Sequence, residues 1–295
     1  MKKLLIPFYL WMICFLMGCF DDEKIYADIE SPKRIYDTLS TNPVFKYVSR
    51  YYYKYNKFLI TDLDTADYLF NFQYKNKVYL VQPNQDQANL LKTLTFMEKM
   101  FLNGYSDEMK KEFFPNAILL ADTIKNLATN SSNPSDVYPD MYVTKYHISF
   151  LVREDIMNKN EQEKQKISRA WNYKFLTEFC TQYKNFIVPE EFYMYSTDKE
   201  FADNSRYPGN LTEEQLYELG YVYGSYNEWW DWTDVAYSKA GYLEKYLNFL
   251  LTKSPDEIVE IIAKYPKVKK PHDVLDGALK ELGIDYRIIG YRIKE

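Results

Sequence analysis

An α+β fold, with a mixed sheet and helix first half and a helical second half, is predicted by three observations on this 295-residue chain. Before Asn160, short apolar runs bounded by polar turns follow the pattern of strands. From Asn160 onward, apolar residues recur at helical spacing for most of the chain. The composition, 46% hydrophobic and 27% charged, is that of a folded protein. The length after an N-terminal apolar segment fits one domain of roughly 250 residues, without internal repeats.

Phe45, Val48 and Tyr52 share one face of a first helix, and the domain is expected to begin near Pro43. Phe58-Leu59-Ile60, Tyr68-Leu69-Phe70 and Val78-Tyr79-Leu80-Val81 then read as strands. Leu90, Leu94, Met97 and Phe101 line a core-facing helix expected to end at Asn103-Gly104, with glycine in a left-handed cap. Ala117 to Leu120 reads as a buried strand, Thr129 to Pro139 as a loop, and Tyr142 to Val152 as one further strand. Ile167, Trp171, Leu176 and Phe179 mark a long buried helix running to about Lys184, with the charged stretch Glu161 to Lys166 facing solvent. After a polar loop from Ser196 to Asn210, Thr212 and Gln215 form a capping box for a helix closed by Gly220. Glu228 to Thr252, Pro255 to Tyr265 and Pro271 to Leu282 read as helices, and Tyr286 to Ile293 as a strand-like end.

Met1, Lys2 and Lys3 precede an uncharged run from Leu4 to Met17. That run is shorter than the roughly 20 residues a spanning helix needs, so residues 1–18 read as a cleaved signal peptide. Leu16-Met17-Gly18-Cys19 resembles the bacterial lipobox. The resemblance implies a diacylglycerol and palmitate-type lipid on Cys19, a mature N-terminus there, and an outer-membrane address. The acidic residues Asp21, Asp22 and Glu23 resemble the surface-export signal of some Gram-negative lipoproteins. Residues 19–42 read as a lipidated tether and 43–295 as the folded domain.

With 37 basic against 42 acidic side chains, the chain has no overall basic field to hold nucleic acid. Its 9 glycines form neither GxGxxG nor GxxxxGK[ST], the common phosphate-binding loops. Cys14 would leave with the signal peptide and Cys19 would carry lipid, leaving Cys180 alone. It is expected to be a small buried hydrophobe, since a nucleophile wants a nearby histidine and the chain has only 2. His147 is expected to be a hydrogen-bonded structural imidazole in a strand, with a ligand role as the alternative, and His272 an exposed residue at a helix start.

The order of these elements, together with Phe45 to Asn56, Lys110-Lys111-Glu112-Phe113-Phe114-Pro115, Gln182 followed by Pro189 and Phe192, and Gly220-Tyr221-Val222 ahead of Trp230-Asp231-Trp232-Thr233-Asp234, resembles a family of bacterial lipoproteins described as zinc-binding metallopeptidases. The resemblance implies a zincin-like fold from about Pro43 onward. Active members are expected to carry HExxH with a glutamine four residues on, two imidazoles binding zinc beside a glutamate that activates water. Anchored on Gln182, the histidine places fall on Lys174 and Glu178 and the general-base place on Phe175, so the motif is absent. The later acidic segment falls on Trp230, Asp231 and Asp234, with Glu228 as a shifted alternative. Zinc, the cofactor of active relatives, is therefore expected to be lost here, with an all-oxygen calcium or magnesium site on the carboxylates as the alternative to no metal at all. Lys174 and Glu178 either pair across one helix turn or both face solvent.

Three functions follow. The first is a catalytically inactive metallopeptidase homologue, a pseudoenzyme acting as a membrane-anchored binding module. Trp229, Trp230, Trp232 and Tyr226, with Tyr221 and Tyr223 nearby, would offer flat rings to a peptide or glycan. The alternative for that aromatic run is core packing. The second is a metal-dependent peptidase or hydrolase with a non-standard carboxylate site built from Glu178, Asp231, Asp234 and Glu228. The third is a structural lipoprotein of an envelope complex.

Overall fold

A computed structural model of the chain describes residues 39–64, 67, 78–126, 140–184, 186–194, 212–222 and 239–289. All of them lie in one compact unit, Asp37–Glu295. The expected signal peptide, Cys19 and the expected tether up to residue 38, the strand expected at Tyr68 to Phe70, the two expected polar loops, the expected start of the Glu228 helix and the aromatic-acidic stretch lie outside the described residues.

The first helix, α1 (Pro43–Tyr55), starts where Asn42 accepts from the backbone N–H groups of Val44 and Phe45 and proline occupies the first turn. It ends at Asn56, in the left-handed region with φ 55°. Strand β1 (Phe58–Ile60) follows at once, then β2 (Val78–Val81), whose alternating burial shows one face turned inward. Helix α2 (Gln87–Met100) is capped by Asp86 and buries Leu90, Leu94 and Met97. The expected glycine cap is not used: Leu102–Gly104 forms a 3₁₀ turn, and Gly104 does not take positive φ. Gly104 is needed for a different reason, because a Cβ there would stand 2.2 Å from Cγ2 of Ile289.

After a short helix α3 (Asp107–Glu112) come β3 (Ala117–Ala121), β4 (Thr123–Asn126), β5 (Met141–Val143) and β6 (His147–Leu151). The four-stranded sheet has the order β1-β3-β6-β5, parallel except for β5 at its edge, while β2 and β4 make a separate antiparallel pair. The single strand expected from Tyr142 to Val152 is thus two strands. Thr144 makes the turn between them: its hydroxyl donates to the His147 carbonyl and accepts from the Tyr146 and His147 N–H groups. One sheet face carries Ile118, Leu120, Ile148 and Phe150, all fully buried. Phe150 packs against Phe101 at 4.8 Å and Trp171 at 4.9 Å between ring centroids.

A short helix, α4 (Glu154–Met157), leads to α5 (Glu161–Lys174), capped by Asn160. It continues through a π-helical segment, Phe175–Cys180, into a last turn, Thr181–Tyr183. Past α6 (Glu190–Tyr193), helix α7 (Glu213–Leu219) has the full Thr212–Gln215 capping box and a left-handed Gly220 with φ 91°. The final helices are α8 (Lys239–Thr252), α9 (Pro255–Lys264) and α10 (Pro266–Glu281).

Two expectations about the C-terminal region are corrected. Helix α10 begins at Pro266, so Pro271 lies inside it rather than opening it. His272 is consequently buried, held between Asp273 Oδ1 and the Tyr286 hydroxyl, each 3.0 Å from a ring nitrogen. Residues 286–289 turn rather than run as a strand, residues 290–293 of that expected strand lie outside the described residues, and among the described residues here Ile284 makes one bridge, to Tyr105. Among the described residues no helix is long and apolar enough to cross a membrane.

Candidate functional site

Lys174, Phe175 and Glu178, the expected motif places, lie at the end of α5 and in the π-helical segment that continues it. The backbone departs from an α-helix there: the Thr181 N–H reaches back to the Leu176 carbonyl, a five-residue step. Thr177 donates to the Tyr173 carbonyl at 2.9 Å, and Thr181 donates to that of Thr177, the side-chain back-bonding that bends helices. All of the segment but Glu178 is buried. The wider turn lets Phe175 and Phe179 stack with centroids 5.6 Å apart and both enter the core.

Phe175, at the general-base place, has no exposed surface. Its ring contacts Phe101, Tyr105 and Phe114 at 5.2, 5.2 and 5.0 Å. The same cluster is tied by a buried hydrogen-bond chain. Tyr105 donates to Asn172 Oδ1 at 2.7 Å, Asn172 donates to the Ser168 carbonyl at 2.7 Å, and Ser168 donates to the Met100 carbonyl at 2.5 Å.

Lys174 and Glu178 form an ion pair at 3.8 Å across one turn, both partly exposed. Of the two arrangements expected for them, the structure takes the pair. Lys174 Nζ also donates to the Met141 carbonyl at 3.0 Å, fastening the helix to the edge strand β5 and covering a backbone group there. Burial pushes the Glu178 carboxyl above its ordinary range, and the Lys174 ammonium opposes that shift. Gln182, the anchor of the resemblance, is exposed on the last turn.

This donor set does not fit zinc. A catalytic zinc takes about three protein ligands and an open water position. Here one histidine place holds an ammonium, the other a single carboxylate already paired, and the base place a core phenylalanine. Among the described residues no group of three His, Cys, Asp or Glu side chains could hold a metal ion. Asp231, Asp234 and Glu228, like Tyr223, Tyr226, Trp229, Trp230 and Trp232, lie outside the described residues. Tyr221, expected beside that aromatic platform, is instead buried edge-on against Tyr242 at 5.9 Å.

Cys180 is buried, and burial raises its thiol far above the ordinary value, as suits a packing residue and not a nucleophile. His147 is buried as expected, but its Nε2 finds no hydrogen-bond partner, so the hydrogen-bonded imidazole is corrected at that atom. Ser149, two residues on and on the same sheet face, likewise has an unpartnered buried hydroxyl.

A second polar cluster escaped the sequence reading. Tyr47, Arg50, Tyr51, Lys54 and Tyr55 follow the i, i+3, i+4, i+7, i+8 spacing of one face of α1, and they line a cleft of about 170 Å³ whose far side includes Glu98 and Lys110. That spacing was the available signal. Phe45, Val48 and Tyr52 lie on another side of α1, where Val48 is buried and Phe45 is exposed. Compared with protein-family models, curated proteins and solved structures, the chain matches none.

Proposed function

We propose that this chain is a bacterial outer-membrane lipoprotein, anchored through Cys19, whose zincin-like domain is a binding module for peptide or glycan and not a peptidase. The observation that carries the second half of this reading is the placement of Phe175. A general base must reach a metal-bound water, and this position is instead enclosed by aromatic rings. The Lys174–Glu178 pair and its tie to β5 give the old motif positions a structural task. The α+β architecture, with a small mixed sheet beside a long helix, is compatible with a zincin-like ancestry. The anchoring half rests on the lipobox resemblance at Leu16 to Cys19.

Growth with an alkyne-tagged palmitate analogue tests the anchor. The wild-type protein is expected to carry the label in the outer-membrane fraction and to lack residues 1–18. Cys19→Ala is expected to accumulate as a longer, unlabelled precursor. Mass spectrometry showing residues 1–18 retained on the wild type would overturn the address.

A further inference from the structure

The geometry points to a binding site for a small oxyanion, a carboxylate or phosphate group, in the cleft between α1, α3 and the 3₁₀ turn. It stands independently of the lipid anchor and of the lost zinc motif. Three cationic side chains, Arg50, Lys54 and Lys110, line a space of about 170 Å³ with the rings of Tyr47, Tyr51 and Tyr55. Lys54 is already engaged, 2.7 Å from Asp107 Oδ2, and the Tyr55 hydroxyl donates to the other oxygen of that carboxylate at 2.7 Å. This arrangement fixes one wall.

Lys110 is different. It is buried, its Nζ lies 5.4 Å over the Tyr55 ring, and Asp107 and Glu98 act on it at longer range than an ion pair. A buried ammonium without a paired carboxylate, facing a cleft, is a set of donors awaiting an acceptor. Tyr51 supplies the second, separate observation: its side chain lines the same cleft, and its buried hydroxyl has no hydrogen-bond partner. Arg50 stands exposed on the same helix face and can close a planar fork on an incoming oxyanion. Against these stand Glu98, which takes a hydrogen bond from Tyr47, and the already paired Asp107. The donors outnumber the acceptors, so the cleft selects negative charge. Its volume admits one acid group with a few attached atoms and excludes a polymer chain lying lengthwise.

The full chain in detergent, titrated calorimetrically at constant ionic strength with inorganic phosphate, glucuronate and glucose, tests this. Glucuronate carries its carboxylate on a sugar and phosphate comes free, so the two arms separate the sources of the charge. At least one anion is expected to bind with one-to-one stoichiometry while neutral glucose does not. Lys110→Met is expected to weaken that binding at least about tenfold, the usual loss for a charged hydrogen bond. Tyr51→Phe keeps the ring and drops a hydroxyl that bonds nothing in the fold, so it stays folded should Lys110→Met fail to; it is expected to weaken binding severalfold. Absence of binding by either anion, or equal affinity in the wild type and both variants, would overturn the proposal.

Discussion

His147 shows how a single side chain sets a pH response. Burial lowers its pKa from 6.5 to about 4, because the desolvated ring resists charging and its Nε2 has no acceptor nearby. The neutral ring is the favoured form, so its contribution to stability is complete above pH 6.5 and is lost as the pH falls through about 4. That interval corresponds to about 3 kcal/mol. Denaturant unfolding between pH 7 and 4 is therefore expected to show a loss of this size in the wild type that His147→Leu lacks. Leucine removes an unpartnered polar atom, so the variant is expected to be no less stable at pH 7. Parallel pH profiles for the two proteins would contradict this. The burial of His147 was legible in the sequence, since it sits in an apolar run. Its missing partner was not, because that depends on which side chains the neighbouring strands bring to the same face. His272 failed in the opposite direction: Pro271 suggested a helix start, whereas Pro266 had already supplied one.

At the scale of elements, helix ends were legible where the capping chemistry is local and complete, as in α7, and misleading at Gly104 and Pro271. Thr212 with Gln215, and Gly220 beyond, mark α7 within nine residues of sequence, and Pro43 marks the start of α1. The π-helical segment was not legible. It arises from threonine back-bonding together with the demand that Phe175 and Phe179 both reach a core formed by distant residues. The division of β5 from β6 depends in the same way on one hydroxyl, that of Thr144. This geometry predicts that restoring the motif restores nothing. The triple variant Lys174→His, Phe175→Glu, Glu178→His places a carboxylate among Phe101, Tyr105 and Phe114 and removes the tie to Met141. Truncating a buried phenylalanine alone costs about 3–5 kcal/mol, and a buried unpaired charge adds to that. Urea unfolding is expected to show a loss of at least this size that zinc does not recover. A variant that folds normally with its midpoint raised by zinc would show that position 175 can face the metal.

Over the whole molecule, the α+β class was legible from the change of periodicity near Asn160, because the strands and the long helices each bury a full apolar face. The sheet order β1-β3-β6-β5 was not, since parallel pairing joins segments far apart in sequence. Of the candidate site, the absence of HExxH could be read directly, whereas the packed π-helical turn and the Lys174–Glu178 ion pair needed the fold. The cleft on α1 shows the converse, a polar helix face whose meaning emerges only when Lys110 arrives from another helix. On the proposed reading, the end of α5 and the π-helical segment, which carry Lys174, Phe175 and Glu178, are packing elements with no affinity for zinc. Thermal unfolding of the purified full chain, with equimolar to excess zinc and then with chelator, tests it most directly, since a metal that binds only the native state must raise the midpoint by mass action. The same midpoint is expected for the protein as purified, with zinc and with chelator, with no stoichiometric zinc by elemental analysis. A zinc-dependent rise reversed by chelator and lost in Glu178→Ala would contradict it.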